Sequence, residues 1–314
     1  MSTEKEDIIF LAGHKGLLGS AILKKLKQDN YQNVITADKF EVNLENQMET
    51  SKFVKSINPK FIILAAGYSG GIQENKSKPY DLIIKNLLIQ VNIFKAIENL
   101  NVKKLLFFGS SCMYPKIYDK PIKESSLLKG EMENSSISYA MAKLAGYQMC
   151  FSFNKQYPKT QCITIIPNSV YGPNDNFNPE TGHVLASLIY KFNEAKAKKL
   201  PYINLWGNGK PLREFIYCED IADASVFLMN NEVKNNLPIN VGSGEEISIL
   251  NLANKISKLT HYKGKIYWDI EKPNGALRKV LDSSQIMALG WKPKISLNMG
   301  LNLTNNWFNK NKCV

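Results

Sequence analysis

A short apolar run, Ile8-Ile9-Phe10-Leu11-Ala12, leads directly into Gly13-His14-Lys15-Gly16-Leu17-Leu18-Gly19. A segment with helical spacing, Ala21-Ile22-Leu23-Lys24-Lys25-Leu26, follows at once. Strand, glycine turn and helix in that order open a dinucleotide-binding unit. The glycines let the backbone approach a pyrophosphate, which then sits at the helix N-terminus. The spacing is Gly-x-x-Gly-x-x-Gly rather than Gly-x-Gly-x-x-Gly, and its place after the first strand is what distinguishes it from an ordinary turn.

The pattern then repeats. Strand-like runs recur at Val34 to Ala37, Phe61 to Ala65, Leu105 to Phe108 and Cys162 to Ile166. Helix-like runs lie between them, including Asn46 to Ile57, Tyr80 to Asn99 and Tyr139 to Tyr157. Such alternation predicts an α/β fold with a doubly wound parallel sheet of the Rossmann type. After Pro173 the pattern loosens into polar loop, a helix around Val184 to Lys198 and short mixed elements. The expected organisation is a dinucleotide-binding domain over residues 1–172, with 214–242 packing back onto it. Residues 173–314 mainly form a smaller C-terminal substrate-binding lobe.

Composition excludes several classes. An apolar content of 44% with 22% charged residues is ordinary for a globular protein, and 314 residues can bury a large core. No apolar run is long enough for a membrane span and the first residues are polar, so a cytoplasmic protein is expected. The five cysteines are scattered, which suggests neither a disulfide framework nor a metal site. The net charge of +12 comes from scattered lysines without a dense basic block, so nucleic acid is not an expected partner. A basic balance also suits anionic small molecules. Of 40 Lys and Arg residues only two are arginines, Arg213 and Arg278. They mark places where a planar fork can grip a diphosphate.

Tyr139-Ala140-Met141-Ala142-Lys143 sets a phenol and an ammonium on one helix face. The ammonium is expected to lower the tyrosine pKa, so that the phenol can exchange a proton with a sugar oxygen while a nicotinamide passes a hydride. Ser110 follows the strand Lys104 to Gly109, at the carboxyl end where ligands lie in parallel sheets. Its hydroxyl can reach the same oxygen.

The stretches Gly70-Gly71-Ile72, Gly109-Ser110-Ser111-Cys112-Met113-Tyr114-Pro115-Lys116, Tyr171-Gly172-Pro173-Asn174-Asp175-Asn176-Phe177, Gly182-His183-Val184, Trp206-Gly207-Asn208-Gly209 and Arg213-Glu214-Phe215 are more specific. With them, the chain from about Ile8 to Phe308 resembles the extended short-chain dehydrogenase/reductase family. The likeness is to its GDP-L-fucose synthase-like branch, epimerase/reductases of GDP-linked 4-keto-sugars. The resemblance implies catalytic roles for Ser110, Tyr139 and Lys143, with Cys112 and His183 as the base and acid that invert C3 and C5. It implies cofactor contacts at Gly13, His14, Lys15, Gly16, Leu17, Leu18, Gly19, Asp38, Lys39, Ala65, Ala66, Gly67, Asn86, Lys143 and Pro167. Substrate contacts are implied at Ser111, Asn168, Ser169, Val184, Lys191, Trp206, Arg213 and Arg278. Asp38 alone would favour NAD, but Lys15 and Lys39 beside it and the family's habit favour NADP(H). A homodimer through the helices Tyr80 to Asn99 and Tyr139 to Tyr157 is also implied.

The chain departs from the branch at Pro167-Asn168-Ser169, at Ala66-Gly67-Tyr68-Ser69, at Leu185-Ala186 and around Tyr190 and Lys191. The sugar is therefore open between a GDP-4-keto-6-deoxy-hexose and a GDP-4-keto-heptose, reduced with or without C3/C5 epimerisation for surface polysaccharide. An NAD-retaining nucleotide-sugar 4-epimerase or 4,6-dehydratase is the alternative on the same fold.

Overall fold

Apolar runs too short for helices become the inner strands of one parallel sheet. The computed structural model describes residues 3–116, 119–233, 236–272 and 274–311. The first half runs β1 (Ile9–Ala12), α1 (Leu17–Gln28), β2 (Val34–Ile35), α2 (Gln47–Ile57), β3 (Phe61–Leu64), α3 (Ile72–Ser77), α4 (Pro79–Ile97), β4 (Lys104–Phe108), α5 (Ile137–Gln156) and β5 (Gln161–Pro167). It continues with β6 (Ser169–Tyr171), α6 (Val184–Ala197), β7 (Tyr202–Trp206), β8 (Leu212–Tyr217), α7 (Cys218–Asn230) and β9 (Ile239–Val241). The last elements are β10 (Glu246–Ser248), α8 (Ile249–Thr260), β11 (Lys265–Asp269), β12 (Arg278–Lys279), α9 (Ser284–Ala288) and α10 (Leu297–Asn311).

The main sheet has the order β2-β1-β3-β4-β5-β9, parallel throughout. Successive strand residues point to opposite faces, and both faces are covered. Ile9 and Leu11 therefore pack with Ile22 and Leu26 of α1 and Ile221 of α7. Phe10 and Ala12 pack with Val54 of α2, Phe94 of α4 and Phe153 of α5 on the other face. The order reverses at β1, and ligands bind in such folds beyond the carboxyl ends at the reversal. Among the described residues no helix is long and apolar enough to cross a membrane.

The observed bounds of the long elements lie within two residues of those expected. Asn46 explains one shift: it is not in α2 but caps it, its side chain accepting from the N–H groups of Met48 and Glu49. The C-terminal half holds more order than its sequence suggests. There β8 pairs antiparallel with β10 and parallel with β6 and β12, while β7 and β11 form a separate parallel ribbon. Strands of two or three residues are too short to show a period. Within 214–242, β9 joins the main sheet and α7 packs on its face beside α1, whereas Phe215 to Tyr217 pair with β6. One apolar cluster extends from Ile9 through Phe192 and Ile256 to Phe308, so the lobe shares a core with the main sheet.

Glu214, fully buried on β8, ties this second half together. Its carboxyl accepts from Asn168 Nδ2 at 2.6 Å, the Gly244 N–H at 2.7 Å and the Leu281 N–H at 3.0 Å. Glu214→Ala removes the acceptor shared by the three and leaves the buried Leu281 N–H unpaired, at a cost of about 1–3 kcal/mol for that group alone. We expect a lower urea midpoint with an unchanged slope, measured by equilibrium unfolding; an unchanged midpoint would exclude Glu214 as a tie.

Candidate active site

The carboxyl ends of β1, β3, β4 and β5 and the facing edge of the lobe enclose a cavity of about 600 Å³. Gly16, Leu17, Leu18, Gly19, Ala65, Gly67, Lys143 and Pro167, expected at the cofactor, line it. Gly13 and Ala66 shape the turn from behind: Gly13 has φ +88°, and a Cβ there would come to 2.5 Å from the Ala66 nitrogen. At Gly19 a Cβ would collide with the Gly13 carbonyl, whereas at Gly16 it would meet nothing nearer than 3.7 Å. The turn is thus closed on its inner side and open toward the cavity, as a pyrophosphate requires.

The other expected cofactor residues stand outside the lining. His14 is partly exposed in the turn. Lys15 pairs with Asp38 at 2.6 Å and Lys39 with Glu45 at 2.8 Å. The Asp38 carboxylate is thereby already neutralised by a neighbouring cation. Asn86 is buried and commits its amide to the backbone: Nδ2 donates to the Tyr68 and Leu82 carbonyls, and Oδ1 accepts from the Tyr68 N–H. It holds the Gly67-Tyr68 loop in place rather than reaching into the cavity.

Ser110, Cys112, Tyr139, Lys143 and His183 all line the same cavity. Ser110 caps the short turn Ser111–Met113, accepting from the Cys112 N–H at 3.2 Å. Its hydroxyl also stands beside the Tyr139 phenol and the Cys112 thiol and favours the charged form of each. One correction concerns Tyr139. Burial first, and the charge of Cys112 second, push its pKa up, against the Ser110 hydrogen bond. The expected lowering by Lys143 is absent, because the Lys143 ammonium lies over the aromatic rings, 5.7 Å from the Tyr139 centroid and 5.0 Å from that of Phe107. Tyr139 is therefore a protonated phenol, suited to give a proton away.

Lys143 is buried and has no hydrogen-bond acceptor among the described residues, and burial pulls its pKa from the usual 10.5 to about 8. An orphaned buried cation beside an open glycine turn fits the ribose hydroxyls of a dinucleotide. His183 is the exposed N-cap residue of α6 on the cavity wall, where the surrounding protein partly desolvates its imidazole and favours the neutral form.

On the substrate side, Ser111, Asn168, Ser169, Val184, Lys191, Trp206 and Arg213 line the cavity. Lys191 lies 5.5 Å from the Trp206 ring centroid. Asn168 spends its amide on Glu214 and the Lys279 carbonyl, so it is a structural tie at the wall. Arg213 is partly buried, donates to its neighbour's carbonyl and has no carboxylate partner among the described residues. A second correction concerns Arg278. It forms a two-pronged pair with Glu246 and bonds the Asp119 carbonyl, outside the lining, while Lys279 faces the cavity instead. Sequence reasoning also missed Glu133, Ser136 and Asp175 in the lining. Asp175 stood in a quoted motif; burial raises its pKa to about 7, and its Oδ2 is buried without a partner among the described residues.

Residues 9–242 match the family described as NAD dependent epimerase/dehydratase. GDP-L-fucose synthase 1 of Arabidopsis thaliana is 42% identical over 311 residues, covering 99% of this chain and 96% of the relative. A crystal structure of a GDP-6-OMe-4-keto-L-xylo-heptose reductase from C. jejuni superposes with a TM-score of 0.92 at 31% identity, covering 99% of this chain and 100% of that one. A GDP-mannoheptose C4 reductase from Campylobacter jejuni with NADP bound gives a TM-score of 0.88 at 32% identity, covering 98% and 99%.

The lowered pKa of Lys143 carries a sign. Below about pH 8 the ligand-free fold must hold a charge that burial disfavours, and this cost fades as pH rises toward 10.5. Lys143→Met should therefore stabilise the ligand-free protein by about 3 kcal/mol at pH 7, a gain that shrinks toward pH 10. Urea unfolding at both pH values checks it; equal stability of the two proteins at pH 7 would contradict the burial argument.

Proposed function

This chain belongs to the NAD dependent epimerase/dehydratase family, in its GDP-L-fucose synthase-like branch, and we propose that it inverts C3 and C5 of a GDP-linked 4-keto-6-deoxy-hexose and then reduces C4. It is an NADP-dependent oxidoreductase. The observation that carries the reading is the meeting of Ser110, Tyr139 and Lys143 with Cys112 and His183 in one cavity. A plain reductase needs only the first three.

Bound NADPH supplies the hydride for C4. The turn Gly16 to Gly19 would hold its pyrophosphate and Lys143 its nicotinamide ribose. Tyr139 gives its proton to the C4 oxygen, and the Ser110 hydroxyl steadies that oxygen. For inversion, the C4 ketone acidifies the neighbouring C–H bonds. The Cys112 thiolate takes the proton, the C–H electron pair becomes the enolate double bond, and the carbonyl pair moves onto oxygen beside Ser110 and Tyr139. His183 returns a proton to the carbon on the opposite face as the oxygen pair re-forms the ketone. Before the second inversion the Cys112 proton leaves to solvent and His183 takes one up; the substrate's diphosphate favours its charged form. Arg213 and Lys191 face the phosphates, and Trp206 offers a flat wall to the base.

The identity to a GDP-L-fucose synthase exceeds that to the heptose reductases, which favours the hexose. The backbone likeness to those reductases supports a GDP-4-keto-heptose as the second reading. A second copy of the chain is the proposed partner. Leu88 and Val91 of α4 and Ile137 and Met141 of α5 are exposed apolar residues on the two helices expected to pair.

The test is turnover of GDP-4-keto-6-deoxy-mannose and of a GDP-4-keto-heptose with NADPH in deuterated water. Product mass and NADPH absorbance are followed. The hexose should be consumed with deuterium entering C3 and C5. Tyr139→Phe should lose reduction by about 10²–10⁴-fold, whereas Cys112→Ser should lose the label first. Oxidation of NADPH without label would remove the epimerase half, and no oxidation with either sugar would sink the proposal.

A further inference from the structure

The thiol that the proposed inversion needs is a poor base unless something holds its proton off. Cys112 is half-buried at the cavity wall, where water cannot fully solvate a thiolate. The group facing it comes from the far end of the chain. Lys279 Nζ lies 3.9 Å from Cys112 Sγ, across 167 residues of sequence. We propose that Lys279 is the positioning residue that keeps Cys112 a thiolate, so that the base of the inversion is built from two segments, the turn after β4 and strand β12. This rests on the reading that Cys112 takes a proton from carbon.

The surroundings support Lys279 over the other cations. It has no carboxylate within ion-pair distance among the described residues, so its charge is not spent elsewhere, as that of Arg278 is on Glu246. Arg213 is its register partner across β8 and β12, but the Arg213 guanidinium is turned to the Leu212 carbonyl. The backbone fixes where Lys279 stands. Its own carbonyl accepts from Asn168 Nδ2 at 3.2 Å, and two residues on, the Leu281 N–H is held by buried Glu214.

Among the described residues, charged or titratable groups act on the thiol from four parts of the chain. Lys279 faces it from β12 and Glu133 from the loop before α5. Tyr139 faces it from α5 and Arg213 from β8, with the hydroxyls of Ser110 and Ser136 beside it. Burial pushes the thiol up. Lys279 is the leading influence in the other direction, Ser110 and Ser136 add to it, and Glu133 opposes it; the balance leaves Cys112 below its ordinary pKa.

The test reads the thiol itself, apart from turnover. The rate of iodoacetamide labelling of Cys112 is followed by peptide mass spectrometry across pH, in the ligand-free full-length protein. Lys279→Met should move the labelling midpoint up by about 1–3 pH units, the size of an adjacent opposite charge. Lys279→Gln, which keeps a donor without the charge, should move it nearly as far, and Lys279→Arg should restore it. Variants are compared after circular dichroism confirms the fold, and either neutral variant suffices if the other does not fold. A midpoint unmoved in a folded neutral variant overturns the proposal. The proposed function fails by a different sign: wild type gives a low midpoint yet puts no deuterium into C3 or C5.

Discussion

The buried carboxyl of Glu214 is the constraint on which the site's second half depends. It gathers three donors from segments far apart in sequence: Asn168 after β5, Gly244 before β10, and Leu281 after β12. Asn240 acts beside it. Its Nδ2 donates to the carbonyls of Ile122 and Asp282, and its Oδ1 accepts from the Tyr114 hydroxyl at 2.6 Å. Backbone bonds between Ile122 and Val280 and between Asp282 and Ile122 complete the tie. Through these contacts the chain after β4, which carries Cys112, is stitched to the strand that carries Lys279. Neither segment has regular structure long enough to hold a geometry alone, so buried polar bonds do what sheet or helix does elsewhere.

Those ties hold a cavity that is electrostatically uncomfortable when empty. Lys143 and Arg213 are both disfavoured by burial, and neither has a carboxylate partner among the described residues. A buried cation without a counter-ion lowers stability. The arrangement makes sense when anions fill the space, since the protein then needs no reorganisation to receive them. Stability given up in the free protein appears as binding of phosphate-bearing ligands.

Much of the main sheet was legible because its signals are local. Runs such as Phe61 to Leu64 are apolar throughout, as parallel strands buried on both faces must be. The glycine turn announced itself by its place between a strand and a helix. In the lobe the helix Val184–Ala197 was legible but the short strands were not, since β12 has two residues and no readable period. The misreading of Arg278 follows from that. Neighbours on a strand point to opposite sides, and a two-residue strand gives no sign of which side faces a cavity. The scarcity of arginine singled out Arg278, but the structure turns Lys279 inward. Tyr139 and Lys143 show a different limit. Helical spacing placed them on one face, yet it could not say that the ammonium would meet the rings instead of the phenol oxygen, nor that burial would outweigh its charge.

Cys112, Ser110 and Tyr139 form one coupled set rather than separate catalytic groups. Ser110 stands beside both neighbours and accepts from the Cys112 N–H, and the charge of Cys112 raises the pKa of Tyr139. In the proposed sequence this coupling bears on the chemistry. While Cys112 is a thiolate it holds the phenol proton in place, so Tyr139 can only hydrogen-bond the oxygen of a forming enolate. Each time the thiol takes a carbon proton its charge is gone, and it returns when that proton leaves before the next inversion. The same electrostatics that make Cys112 a base therefore raise the pKa of Tyr139 whenever Cys112 stands ready as a thiolate.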